Sequence, residues 1–404
     1  MIIESLTQIL ALGGLTLIGL LVNKILRIEL TLACLAAGFF AGLGLNYVNF
    51  DTGIRANNLH EIVFFVILPV LIFEAAWHLK PSVLKTWLIP VLLLATVGVL
   101  ISAFVTAALV YLGVGHAEGF PWIAALLTGA ILAATDPIAV MSQLRSSNAS
   151  EELATLFEGE SLFNDASAIV LFMIILAVAT GSENHEGNYA LYFSMVFIGG
   201  LVVGVVTGLI TSALALFLAS PITSRFVLVF SAFSSFYLAE HLFHVSGIMA
   251  VMMAAIVTKF SLKEVEQDIA HGVSETWEWL GLFLNNLLFV VMGLVTTIAM
   301  FEEQWLAMLI GVVATLIARV TTVLGISRIS GWLGKPIPGG WQILLVWGGL
   351  RGAIAIALVL SLPTTLPYWW TIQSMVFGVV TFSLLIQGTT NAKLVRKYGQ
   401  DVET

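Results

Sequence analysis

Charge is what this sequence has least of. Only 10% of its 404 residues are Asp, Glu, Lys or Arg, against about 25% in a typical soluble domain. With 59% hydrophobic residues and a mean hydropathy of +1.03, a water-soluble fold is excluded, since such a fold must cover much of its surface with polar groups. The ~10-residue alternating segments of a membrane β-barrel are missing as well. A single cysteine, Cys34, rules out an intramolecular disulfide, and its Ala/Leu surroundings predict a small buried hydrophobe. No basic leader with a small-residue cleavage site precedes the first apolar run, so Met1 to Ser5 lead into a span rather than a removed signal. Neither His-Glu-x-x-His nor Gly-x-Ser-x-Gly occurs, so an intramembrane hydrolase lacks its usual machinery. The chain is not expected to be an enzyme, and no cofactor or nucleic-acid partner is expected.

What is present is a series of long apolar runs. Each helical span needs about 20 mostly apolar residues. The runs number thirteen, near 5–23, 28–45, 60–78, 86–112, 121–144, 152–180, 189–218, 222–240, 245–259, 274–299, 304–327, 340–361 and 368–392. The predicted fold class is therefore an all-α polytopic membrane protein with 13 transmembrane helices. Connections between runs are short, so one transmembrane domain over 1–404 is expected, with no soluble regulatory domain or tail after Thr404. Trp305, Trp332, Trp341, Trp369 and Trp370 fall near span ends and predict an interfacial belt.

Cationic residues give the chain a direction. Lys24, Arg27, Lys80, Lys85, Arg145, Arg225, Lys259, Lys263, Arg328, Lys335, Lys393, Arg396 and Lys397 fall on one side of that plan. The other side has Arg55 with the acidic Asp51, Glu118, Glu183, Glu186, Glu302 and Glu303. Positive residues stay in the cytoplasm, so the N-terminus is expected outside and the C-terminus inside. Arg319 and Arg351 belong to neither loop set. Both lie within spans, where an ionised side chain is costly and marks a functional hypothesis.

Two spans carry helix-breaking chemistry at mid-depth. Span five holds Ala133-Ala-Thr135-Asp136-Pro137, where Pro137 removes a donor and disfavours helix at Asp136. Span twelve holds Trp347-Gly348-Gly349-Leu-Arg351-Gly352, whose glycines permit an unwound stretch. The breaks are seven spans apart, so they run in opposite directions, as an inverted repeat of spans 1–6 and 8–13 requires. Paired interruptions of this kind point to a transporter's binding site.

Span six opens with Glu160-Ser161-Leu-Phe-Asn164-Asp165. Helical spacing stacks Glu160 with Asn164 and Ser161 with Asp165. Carboxylate, amide, hydroxyl and carbonyl oxygens suit a hard cation. Burial and a like-charged neighbour favour the protonated form of a carboxylate, so a carboxylate in such a setting can trade a proton for a cation. Asp165 is the expected shared ligand, with Asp136 beside it. Asn164 cannot titrate, so one positive charge moves each way and exchange is expected to be electroneutral. Arg319 and Arg351 supply fixed counter-charge to Glu160. Glu74, at the end of span three, reads equally as a helix-end residue. Glu240-His241-Leu-Phe-His244 falls at an outer helix end and reads as interfacial rather than as a metal site.

These motifs resemble the NhaP-type sodium/proton antiporters, bacterial and archaeal relatives of the animal sodium/proton exchangers. The likeness rests on Thr135-Asp136-Pro137, Glu160-Ser161-Leu-Phe-Asn164-Asp165, Arg319 and Gly349-Leu-Arg351-Gly352-Ala353, in order along nearly the whole chain. It implies a homodimer in a prokaryotic cytoplasmic membrane, in contact with lipid. Spans 3–6 and 10–13 would form a core with two crossed, discontinuous helices, and spans 1–2 and 7–9 a dimerising scaffold. It further implies Na⁺ (or Li⁺) bound by Asp165, Asp136, Ser161 and the Thr135 carbonyl, with Asn164 in support and Glu160 paired to Arg319 in preference to Arg351. A potassium/proton antiporter is the alternative within the family, because ligand type does not separate the two ions. A channel would favour a filter motif or a ring of charges over one compact cluster.

Overall fold

The computed structural model describes residues 2–48, 62–79, 81–114, 119–181, 189–218, 220–262 and 267–400. All regular structure among them is helical. The helices are α1 (Ile2–Leu26), α2 (Leu30–Val48), α3 (Leu68–His78), α4 (Pro81–Leu93), α5 (Val99–Gly113), α6 (Trp122–Ile131), α7 (Ile138–Ser146), α8 (Glu151–Thr180) and α9 (Tyr189–Leu218). They continue as α10 (Pro221–Tyr237), α11 (Gly247–Leu262), α12 (Gln267–Val295), α13 (Ile298–Trp332), α14 (Gly339–Trp347), α15 (Ala353–Leu360), α16 (Trp369–Phe382) and α17 (Thr389–Tyr398). Short π-helical turns join several of them, at Val63–Ile67, Leu94–Gly98, Leu238–Leu242 and Ser383–Gly388. Seven helical segments among the described residues are long and apolar enough to cross a membrane, and five shorter apolar helices accompany them. The chain is a multi-pass membrane protein.

The two interruptions follow from local chemistry. α6 stops at Ile131, and the chain runs without helix to Pro137, whose carbonyl then accepts the Met141 N–H as α7 begins. α14 stops at Trp347, and Gly352 (φ −147°, ψ −139°) extends the backbone before α15. A residue with a Cβ at 352 would place that atom 1.9 Å from Asp136 Oδ2. Only glycine fits there.

Helices α9 and α11 run parallel in close contact along a column of glycines. Cβ atoms built at Gly200, Gly204 and Gly208 would lie 2.4, 2.4 and 2.9 Å from the carbonyls of Ser246, Ala250 and Ala254. Small residues at this spacing let membrane helices approach backbone to backbone. The outer face of α9 is instead apolar and exposed, with Met195, Ile198, Val202 and Val206.

Cys34 is fully buried, as its surroundings indicate. The tryptophan belt needs one correction. Trp305 and Trp332 are exposed, but Trp341 is buried against Trp87, with ring centroids 5.3 Å apart. The first turn of α14 turns that side chain inward, where aromatic packing outweighs an interfacial position. The loop charges Asp51, Arg55, Lys80, Glu118, Glu183, Glu186 and Lys263 lie outside the described residues.

Candidate functional site

The two breaks lie against each other. The Asp136 N–H donates to the Leu350 carbonyl at 2.8 Å, which ties one unwound stretch to the other. Arg351 reaches back across the junction and donates from Nη1 to the carbonyls of Ala133 (3.2 Å) and Ala134 (2.9 Å). These carbonyls just past the end of α6 carry the partial negative charge of a helix C-terminus, and a cation there is stabilising. Asp136 does the converse. Its Oδ1 accepts the Ile138 N–H at 2.9 Å, and its Oδ2 lies 3.4 Å from the Ala353 N–H. One carboxylate therefore faces the N-terminal ends of both α7 and α15, where anions are favoured.

α8 passes beside this junction with its oxygen-rich face inward. Ser161 Oγ donates to the Thr135 carbonyl. Asn164 Nδ2 donates to Thr135 Oγ1 (3.2 Å) and to Glu160 Oε1 (2.9 Å). Glu160 forms a bidentate pair with Arg319, Nη1 to Oε1 at 2.8 Å and Nη2 to Oε2 at 3.0 Å, while Arg319 Nε donates to the Leu345 carbonyl. Glu160 is 1% exposed and Arg319 4%. The pair is sealed from water, and its two parallel hydrogen bonds fix both planes.

Asp165 is buried at the same depth, at 8% exposure. Among the described residues its Oδ1 accepts no hydrogen bond, and neither does Asn164 Oδ1. Asp136, Glu160 and Arg351 are the charges that act on it. Two unsatisfied, buried acceptor oxygens are costly unless something fills them. A proton or a cation on Asp165 would do so for that carboxylate.

The structure thus brings Thr135, Asp136, Ser161, Asn164 and Asp165 to one place, with Glu160 facing Arg319 and with Arg351 on backbone carbonyls. Gly349 packs directly on Arg319, where a Cβ would lie 2.5 Å from Nε, and Gly348 lies against Phe157. Glu74 is only partly exposed and bridges to His78 at 3.2 Å, so it is packed in the bundle rather than free at a helix end. Glu240 accepts the Gly247 N–H at 2.9 Å, and His241 stacks on Tyr237. No group of three or more His, Cys, Asp and Glu residues that could hold a metal ion occurs among the described residues.

Some participants have no sequence signature. The carbonyls of Ala133, Ala134, Leu345 and Leu350 are backbone acceptors in apolar stretches. A second group was open to reading: Gln143 and Gln387 are uncharged polar residues in helices. Gln143 Nε2 donates to the Gly388 carbonyl and its Oε1 accepts from Asn391, while Gln387 donates to the Trp347 carbonyl. They tie α7 and α14, one half of each interrupted helix, to the final helix.

The profile described as "Sodium/hydrogen exchanger, transmembrane" matches residues 12–397. The chain belongs to the sodium/hydrogen exchanger family. Among its curated relatives is the Na⁺/H⁺ antiporter ApNhaP of Aphanothece halophytica, 34% identical, with 89% of this chain and 68% of that protein covered. The Na⁺/H⁺ antiporter NhaP of Pseudomonas aeruginosa is also 34% identical, with 87% of this chain and 84% of that protein covered. The fold matches that of the sodium proton antiporter MjNhaP1 from Methanocaldococcus jannaschii, with a TM-score of 0.79, 20% identity and 98% of both chains covered.

Proposed function

We propose that this member of the sodium/hydrogen exchanger family is a secondary active Na⁺/H⁺ antiporter in which a proton and a Na⁺ or Li⁺ ion compete for Asp165. The observation that carries the reading is the buried Asp165 carboxylate with an open Oδ1, beside Asp136 at the meeting of the two helix breaks. The transported cation is ligated by Asp165, Asp136, the Ser161 hydroxyl and the Thr135 carbonyl, with Asn164 orienting them. Asn164 carries no charge and Glu160 is committed to Arg319, so one carboxylate exchanges and transport is electroneutral, one ion for one. Relatives described as Na⁺/H⁺ antiporters support Na⁺ over K⁺ as the cation. Transport of this kind moves ions without covalent chemistry.

The same reading takes the chain as thirteen spans in two inverted halves with crossed interrupted helices. Spans 3–6 and 10–13 move as the ion-carrying core against a scaffold of spans 1–2 and 7–9, which also forms the homodimer. The protein sits in a prokaryotic cytoplasmic membrane with its C-terminus inside, as the distribution of Lys and Arg favours.

Reconstitution into liposomes with a pH-sensitive dye tests this. Na⁺ and Li⁺ pulses should collapse an imposed proton gradient, K⁺ should not, and Asp165→Asn should abolish the signal while keeping a folded protein. A K⁺ response without a Na⁺ response, or conductive flux that survives Asp165→Asn, defeats the proposal.

A further inference from the structure

An apolar groove of about 420 Å³ opens on the outer surface of the helix bundle between α13, α14 and α17. Val320 and Leu324 of α13, Ile343, Val346 and Trp347 of α14, and Leu394 of α17 line it. Val320, Leu324 and Ile343 are 40%, 45% and 44% exposed. The groove follows α14 from Gly339 to Trp347, a distance of about 12 Å at 1.5 Å per residue.

One end of this groove is cationic. Val320, Leu324 and Arg328 recur every four residues on α13, so Arg328 continues the groove's row one turn beyond Leu324, and it is exposed. On α17, Lys397 lies three residues after Leu394 and therefore shares its face. Its Nζ sits 5.0 Å from the centre of the Tyr398 ring. That ring packs on Gly340, with Tyr398 Cδ1 3.1 Å from where a Cβ would be, which puts Lys397 beside the Gly339 end. The opposite end is closed by Trp347, whose Nε1 donates to Thr390 Oγ1 at 2.9 Å.

We propose that this groove is a specific phospholipid site: it holds one acyl chain, and Arg328 and Lys397 hold a negatively charged headgroup. Apolar walls with a basic mouth at one end match the two ends of an anionic lipid, and basic pockets between spans select such headgroups. A zwitterionic lipid would leave the two cations without a net counter-charge. The inference needs only that the chain spans a membrane, and stands apart from the antiport reading.

The site touches the ion-handling region through one residue. Val346 lines the groove and also a small internal cavity bounded by Arg319, Gly349, Arg351 and Gln387. A chain in the groove presses on α14 one layer from the Glu160–Arg319 pair. Occupancy therefore braces the helix that supplies the Leu345 carbonyl to Arg319.

The test is thermal unfolding of the purified full chain in nonionic detergent with added phosphatidylglycerol or phosphatidylcholine of the same acyl chains. Phosphatidylglycerol should raise the midpoint by several degrees more than phosphatidylcholine, and soluble glycerol 3-phosphate should do nothing. Arg328→Gln with Lys397→Gln should erase the difference between the lipids. Leu324→Trp, an exposed position where a larger side chain is tolerated, should reduce the gain from both by filling the groove. Equal gains from the two lipids, a preference that survives the double substitution, or a full gain in Leu324→Trp overturns the proposal. Native mass spectrometry decides it without a variant: wild type should retain one phosphatidylglycerol in preference to phosphatidylcholine, and equal retention counts against the site.

Discussion

The backbone N–H of Asp136 donates to the carbonyl of Leu350 at 2.8 Å, joining two interrupted helices at their unwound points. Around that bond, side chains satisfy the ends that interruption exposes. Arg351 takes the carbonyls that follow α6, and the Asp136 carboxylate faces the N-termini of α7 and α15. The break costs backbone hydrogen bonds that the bilayer cannot replace, and these two charged residues supply the substitutes.

Glu160→Gln should leave Arg319 buried with its partner's charge gone. Removing one member of a buried ion pair costs about 3–5 kcal/mol, so a strongly lowered unfolding midpoint or a collapsed folded yield is expected. Unfolding in detergent, followed by tryptophan fluorescence, measures it. A wild-type midpoint would mean that Glu160 and Arg319 do not stabilise each other.

Gly352→Ala should disrupt the junction directly. The added methyl would meet Asp136 Oδ2 at 1.9 Å and Asp136 Cβ at 2.5 Å, so either the carboxylate leaves the two helix N-termini or the backbone shifts. Overpacking of this kind costs about 1–3 kcal/mol, and exchange should fall much further than stability. Liposome exchange and thermal midpoint, measured together, separate the two effects. Unchanged exchange would remove Asp136 from the ion path.

Competition for Asp165 predicts that the apparent KM for Na⁺ rises as pH falls while the maximal rate at saturating Na⁺ changes little. The proposed one-for-one exchange further predicts that an imposed membrane voltage does not alter the rate. Initial rates over a pH series, with and without a potassium-valinomycin potential, give both answers. A KM independent of pH would refute shared occupancy, and a voltage-dependent rate would refute one-for-one exchange.

Glu29, in the turn between α1 and α2 and outside both helices, supplies a pH test. Burial, and then the nearby Asp136 carboxylate, hold its pKa above the usual carboxylate value. A raised folded-state pKa contributes stability that is complete below the unfolded value and lost as pH rises through the folded one. The wild-type unfolding midpoint should therefore decline relative to Glu29→Gln as pH rises from about 4 upward through the weakly acidic range. Parallel midpoint curves for the two proteins would show that Glu29 titrates as it does in the unfolded chain.

Much of this arrangement is legible in the chain itself. Helix breaks show because Pro137 and the glycines from Gly348 to Gly352 act through the backbone. Spacing alone places Asn164 over Glu160, and the hydrogen bond between them follows. The choice between Arg319 and Arg351 is different: both are single cations in apolar helices, and only the packing of α13 on α14 turns Arg319 towards Glu160. Arg351 spends its charge on two alanine carbonyls, a contact between residues more than two hundred apart. Trp341 misled because its distance along the chain from a span end says nothing about which way its first turn faces.

The glycine column between α9 and α11 restricts how those helices can travel. Each glycine seats a carbonyl of the neighbour, and the seats recur every four residues. A slide of less than one repeat drives a side chain into a carbonyl, whereas a slide of about 6 Å, four residues at 1.5 Å each, seats two of the three again. Motion along this seam is stepped, like a ratchet with teeth one turn apart. The pair is a poor place for gradual sliding and a good fixed rail for whatever in the protein does move.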